Sequence, residues 1–128
     1  HSMAGLFALY AALARPEAFA RHAAISPSVW WGGGMLLDYE QQFVIGPAHG
    51  KAILVMLSDS ERRSSPNGPH WDGPAPHTLE MIARLSSHPG LTVRSQVLDG
   101  LTHADTLPAS LERTLRFAAE ARGGDAAN

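Results

Sequence analysis

Between Ala4 and Ala14 the apolar residues Leu6, Phe7, Leu9, Tyr10 and Leu13 recur at helical spacing on an alanine-rich background, which predicts a helix. Arg15-Pro16 stops it, and Pro16-Glu17 opens a short second turn. His22 to Ile25 forms a short apolar strand closed by Ser26-Pro27. Trp30, Trp31 and the glycine run Gly32 to Gly34 predict a loop, and Met35 to Gln42 a short helix. Lys51 to Leu57 is an uninterrupted apolar run, the pattern of a strand covered on both faces of a parallel sheet. A polar stretch rich in Pro and Gly from Ser58 to Pro76 reads as a long loop, with Trp71 in a turn-rich segment, Asn67 to Pro74, that is read as a surface loop in preference to a flexible flap. Thr78 to Ser87 then fits an amphipathic helix with Leu79, Ile82 and Leu85 on one stripe. Leu91 to Leu98 predicts a further strand and Leu101 to Leu107 its following loop. A last helix is headed by Pro108 and carried by Leu111, Leu115 and Phe117.

Strands alternating with helices predict an α/β fold with a mainly parallel sheet. Three strands and a leading helix do not complete such a sheet. The chain therefore reads as half a domain, with a small tail at Gly123 to Asn128. The strands near Ala23 and from Ile53 to Leu57 are expected to lack their full set of neighbours. These residues are expected to belong to a longer polypeptide, or to sit beside a companion fragment supplying the central strands.

Composition narrows the class. A hydrophobic share of 45% permits a real core, and a formal net charge of -2 leaves no basic footprint for nucleic acid. Apolar runs are too short to span a membrane. Without cysteine the chain has no disulfide, thiol nucleophile or thiolate metal site. The compartment stays open between cytoplasm and periplasm. Abundant Ala and Arg beside a single lysine, Lys51, suit a GC-rich bacterial genome. The histidines show no metal-binding spacing; His70 and His77 are separated by a proline-rich loop. No phosphate loop or dinucleotide fingerprint is present either, so no cofactor is expected.

The candidate chemistry begins at His1-Ser2-Met3-Ala4-Gly5, which runs straight into the first helix. A nucleophilic serine in a strained strand-to-helix turn needs small flanking residues, because strand and helix nearly collide there. Ala4 stands where a glycine is usual, and Gly5 follows. A serine opening a helix is also an ordinary N-cap. The stretch HSMAGLFALYAALARPEAFARHAAISPSVWW resembles the Putative esterase group of α/β-hydrolases, which includes siderophore (trilactone) esterases and esterase D. Members of that group read G-H-S-M-G-G-L-F-A-L, then a helix, a Pro-initiated turn, I-S-P-S and an aromatic pair. The apolar strand Lys51 to Leu57 and the segment LDGLTHADTLPASLERTLRF from Leu98 to Phe117 continue the likeness in order.

The resemblance implies that residues 1–122 are the C-terminal portion of an α/β-hydrolase domain, with 123–128 a tail. It implies a nucleophile at Ser2, a general base at His103 and an acid from the Asp59–Glu61 stretch, in the chain order Ser, acid, His. Glu61 is placed ahead of Asp59, though either could equally pair with Arg62 or Arg63. His103 stands apart from His1, His22, His49, His70, His77 and His88 because it lies between a strand and the final helix, after Asp99-Gly100. The Met3 backbone N–H, at the helix start, would be one oxyanion donor; the second is expected from a loop outside this chain. Trp30 and Trp31 are candidate substrate contacts, suited to an aromatic ester. The implied activity is hydrolysis of a small ester, a siderophore ester first, through an acyl-enzyme. Acyl transfer on the same scaffold and a non-catalytic fragment are the alternatives.

Overall fold

In the computed structural model, residues 1–42 and 51–120 are described; His49 and the tail 123–128 lie outside them. The elements run α1 (Ser2–Ala14), β1 (Arg21–Ile25), α2 (Trp31–Glu40), β2 (Lys51–Ser58), β3 (Arg62–Arg63), β4 (Trp71–Asp72), α3 (Pro76–Ser86), β5 (Leu91–Leu98) and α4 (Thr106–Ala119). Strands β1, β2 and β5 form a parallel sheet in the order β1-β2-β5, with His22 opposite Ile53 and Ile53 opposite Val93. β3 and β4 make a small antiparallel ribbon inside the long loop, pairing Arg62 with Asp72 and Arg63 with Trp71.

The two-residue alternation of β2 explains its unbroken apolar sequence. Ile53 and Val55 face a cluster made with Leu9 and Leu13 of α1, Leu36 and Leu37 of α2, and Met81 and Leu85 of α3. Ala52, Leu54 and Met56 face the other way, toward Ile25 and Phe117 of α4. Helices thus cover both faces, and every β2 side chain beyond Lys51 is buried. Each large apolar side chain buried this way contributes about 1.5–3 kcal/mol, so β2 is the axis of the core. The expectation that β2 would lack neighbours is not met, because β1 and β5 flank it. Among the described residues, β1 pairs only with β2.

Some helix faces differ from the sequence expectation. In α3 the buried stripe is Thr78, Met81 and Leu85, while Leu79 is exposed. Thr78 can lie inside because its hydroxyl donates to the Pro27 carbonyl at 3.2 Å. α4 starts at Thr106, two residues before Pro108, and buries Thr106, Ser110 and Phe117. Leu111 and Leu115 point to solvent. Phe7 and Tyr10 of α1 are likewise exposed, whereas Leu9, Ala12 and Leu13 pack on the sheet. Gly32, Gly33 and Gly34 all have positive φ, so the regular part of α2 begins near Met35.

Candidate active site

Parallel strands end on one side, and the carboxyl ends of β1, β2 and β5 carry the polar residues of the site. Ser2, at the start of α1, has φ 56°, a left-handed conformation that costs a non-glycine residue about 1–3 kcal/mol. The local geometry holds it there. The Ser2 carbonyl accepts from the Ser28 N–H at 3.1 Å, and Gly5 lies against the Ile25–Pro27 turn. A Cβ on Gly5 would stand 3.1 Å from Pro27 Cα and 3.3 Å from the Ile25 carbonyl oxygen, too close for two backbones to accept without moving apart. The close approach of helix and strand therefore falls on Gly5, while Ala4 is exposed and its extra methyl meets no such demand.

His103 reaches the same point from the loop after β5. Its Nε2 is 3.1 Å from Ser2 Oγ, and its Nδ1 is 2.9 Å from Glu61 Oε2. An Nδ1–H that donates to the carboxylate leaves the Nε2 lone pair free to accept the Ser2 hydroxyl. Glu61 is buried, and its other oxygen is also satisfied: Oε1 accepts from Ser26 Oγ at 2.6 Å and from the Ser58 N–H at 3.0 Å. Ser26 is itself left-handed at φ 42° and contacts Thr106 Oγ1 at 2.8 Å. The Thr106 hydroxyl donates to the His103 carbonyl at 2.7 Å, tying the histidine loop to the head of α4. His1 donates from Nε2 to the same carbonyl at 2.9 Å, its ring 4.7 Å from that of His103.

Asp59 has a different place. Its Oδ1 accepts from the Gly100 N–H at 2.7 Å and from Ser60 Oγ at 2.8 Å. The Gly100 N–H, followed by the Ser60 hydroxyl, holds this carboxyl below the usual carboxylate range. Asp59 clamps the turn after β2 to the turn after β5, and the carboxylate on His103 is that of Glu61. Ser58 assists, donating to the Leu98 carbonyl at 2.9 Å and accepting from the Leu101 N–H. The Met3 N–H lies in the first turn of α1, where helical N–H groups have no acceptor within the helix.

A cavity of about 220 Å³ opens beside Ser2 and His103, lined also by Trp30, Arg63 and Trp71. Trp30 is thus at the site. Trp31 is not; it lies with Met3, Phe7, Tyr10 and Tyr39 along a separate apolar groove of about 330 Å³. Trp71, expected in a surface loop, is half-buried because β4 pairs it with Arg63 and brings its ring to 6.4 Å from Trp30. Sequence reasoning did not single out Ser26, Ser58 or Thr106. Their only signal was hydroxyl residues at strand ends and at the head of the last helix. Among the described residues no group of three or more His, Asp or Glu is placed to hold a metal, and no helix is long and apolar enough to cross a membrane.

This is an α/β fold with a parallel sheet flanked by helices, presenting a Ser–His–Glu hydrogen-bonded series at the strand ends. The chain belongs to the Putative esterase family, whose model matches residues 1–82. It is 31% identical over 119 residues to the ferri-bacillibactin esterase BesA of Bacillus subtilis, a match covering 92% of this chain and 40% of that protein. Among solved structures, the BES protein from Bacillus cereus superposes with a TM-score of 0.74 at 25% identity, over 94% of this chain and 44% of that one. The siderophore hydrolase EstB from Aspergillus nidulans gives a TM-score of 0.69 at 23% identity, over 90% and 46% of the two chains, a likeness of fold. The chain spans less than half the length of these relatives.

Proposed function

We propose that this chain carries the catalytic residues of a serine-dependent ester hydrolase. The observation that supports it most is the continuous series Ser2 Oγ, His103 Nε2, His103 Nδ1, Glu61 Oε2, at 3.1 and 2.9 Å. A serine hydroxyl becomes an effective nucleophile when a base in hydrogen-bond reach takes its proton. Ser2 Oγ attacks the ester carbonyl carbon while its proton passes to His103 Nε2. Glu61 holds the imidazole in the required tautomer and stabilises the imidazolium. The Met3 N–H donates to the oxyanion, favoured further by the positive end of α1. Collapse of the tetrahedral intermediate expels the alcohol, which takes the proton from Nε2. Water then attacks the acyl group on Ser2, giving its proton to His103, and the acid leaves as Ser2 recovers its hydrogen.

The substrate reading is a small ester, with siderophore esters first because relatives are named for them. Other small aryl or acyl esters come next. A second oxyanion donor is proposed to come from polypeptide outside these 128 residues, so the chain alone should turn over slowly. Purified protein is to be assayed on an aryl ester with and without an acceptor alcohol. Hydrolysis in both conditions, lost by about three orders of magnitude or more in Ser2→Ala, is the expected result. Product formed only when the alcohol is present would identify a transferase. Undiminished turnover by Ser2→Ala would remove the proposal.

A further inference from the structure

The cavity beside Ser2 is lined as well by a cation that no anion meets among the described residues. Arg62 and Arg63 are neighbours on β3, so their side chains leave the ribbon on opposite faces. Arg62 is exposed and pairs with Asp72 at 3.0 Å. Arg63 turns inward and lies flat on Trp30, its Cζ 3.3 Å from the ring centroid and 5.9 Å from that of Trp71. Among the described residues it has no carboxylate partner. The nearest candidate in sequence, Glu61, already serves His103, Ser26 and Ser58. Both Arg63 Nε and Trp71 Nε1 are buried without a hydrogen-bond acceptor.

A cation stacked in the wall of an open cavity, with no carboxylate partner among the described residues, calls for an explanation. Stacking on an aromatic face leaves a guanidinium with only its in-plane N–H edge for bonding, and that edge matches a planar two-oxygen acceptor. We infer that Trp30, Arg63 and Trp71 form a carboxylate-binding subsite, so that the preferred ester carries a free carboxylate. This rests on the reading of the Ser2 cavity as the ester site. The subsite acts on substrate choice: it holds the carboxylate and leaves the chemical step to Ser2 and His103.

The test reads binding separately from turnover. Glutarate is titrated into the Ser2→Ala protein while tryptophan fluorescence is followed, with sodium sulfate at matched ionic strength as the comparison. A saturable change with glutarate and none with sulfate is expected. Binding should weaken about 10- to 100-fold in Arg63→Gln, and nearly as much in Arg63→Lys, which keeps the charge and loses the planar fork. In the protein with Ser2 intact, an aryl hemiadipate should be preferred over the matching hexanoate, and Arg63→Gln should erase the preference. Identical titrations with glutarate and sulfate, or with and without Arg63, would overturn the subsite. Loss of turnover on both esters together with normal glutarate binding would instead count against the esterase reading alone.

Discussion

Glu61 and Glu40 are both buried carboxylates, and each holds a histidine: Glu61 through His103 Nδ1 at the strand ends, Glu40 through His88 Nε2 between α2 and α3. What surrounds the two pairs differs. Glu40 also meets the Arg84 guanidinium at 3.5 Å, and Arg84 donates to the Leu37 carbonyl and bonds to Glu80. That assembly ties two helices together and sets a guanidinium beside the carboxylate. Among the described residues Glu61 has no Lys or Arg partner; it is held by the Ser26 hydroxyl and the Ser58 N–H, and His103 offers its second nitrogen to Ser2. A histidine on a buried carboxylate is thus common to both pairs. The hydroxyl at the far nitrogen, on a strained serine, is found at His103 and is the feature on which the proposed function rests.

Removing each histidine in turn should break the comparison most sharply. His103→Ala is expected to lower kcat/KM on an aryl ester by about three to six orders of magnitude, while His88→Ala should leave it within about twofold. Removing the two charges comes next. Glu61→Gln should lower kcat by about 10²- to 10⁴-fold, because the amide no longer fixes the imidazole tautomer. Glu40→Gln should spare turnover and cost about 1–3 kcal/mol in denaturant unfolding, since Arg84 and His88 lose a buried partner but keep some solvent. Ser26→Ala frees one oxygen of Glu61, and a fall of roughly tenfold in turnover is expected. An effect of Ser26→Ala as large as that of Glu61→Gln would mean the hydroxyl does more than position the acid.

A third histidine sharpens the contrast because it has no carboxylate partner among the described residues. His22 is buried in β1, its Nε2 without a partner, and burial aided by nearby Lys51 holds its imidazole below the ordinary range. The unfolded chain then binds a proton at higher pH than the folded one. Stability should fall as the pH drops below about 6.5 and keep falling until the folded imidazole also protonates. His22→Gln should flatten that part of the stability profile, measured by urea unfolding between neutral and mildly acidic pH. An unchanged slope would show that another group carries it.

The parts of this molecule legible in the sequence are those where one pattern decides. The apolar run Lys51 to Leu57 announced the central strand, and Gly32 to Gly34 announced irregular backbone ahead of the regular part of α2. The order of elements followed from alternating periods. Helix faces were harder, since Leu79, Leu111 and Leu115 fit a helical stripe as well as the residues that are buried. Hydrogen bonds decided against the apolar pattern there, burying Thr78 through Pro27 and Thr106 through His103 and Ser26. At the candidate site, the meeting of Ser2 and His103 was expected from local context and family likeness, and the two side chains lie 3.1 Å apart. Choosing between Asp59 and Glu61 was not, because they are two residues apart and only the turn geometry sends one to Gly100 and the other to His103. Trp71 looked like surface because the ribbon that folds it inward is only two residues long on each side.

The central claim is that Ser2 is the group acylated during turnover. Purified protein should be treated with a serine-directed aryl phosphonate, digested, and mapped by mass spectrometry. The account predicts one phosphonyl adduct, on Ser2, formed slowly or not at all in His103→Ala. An adduct on Ser26, Ser28 or any other residue, with Ser2 unmodified and ester turnover abolished, would contradict it.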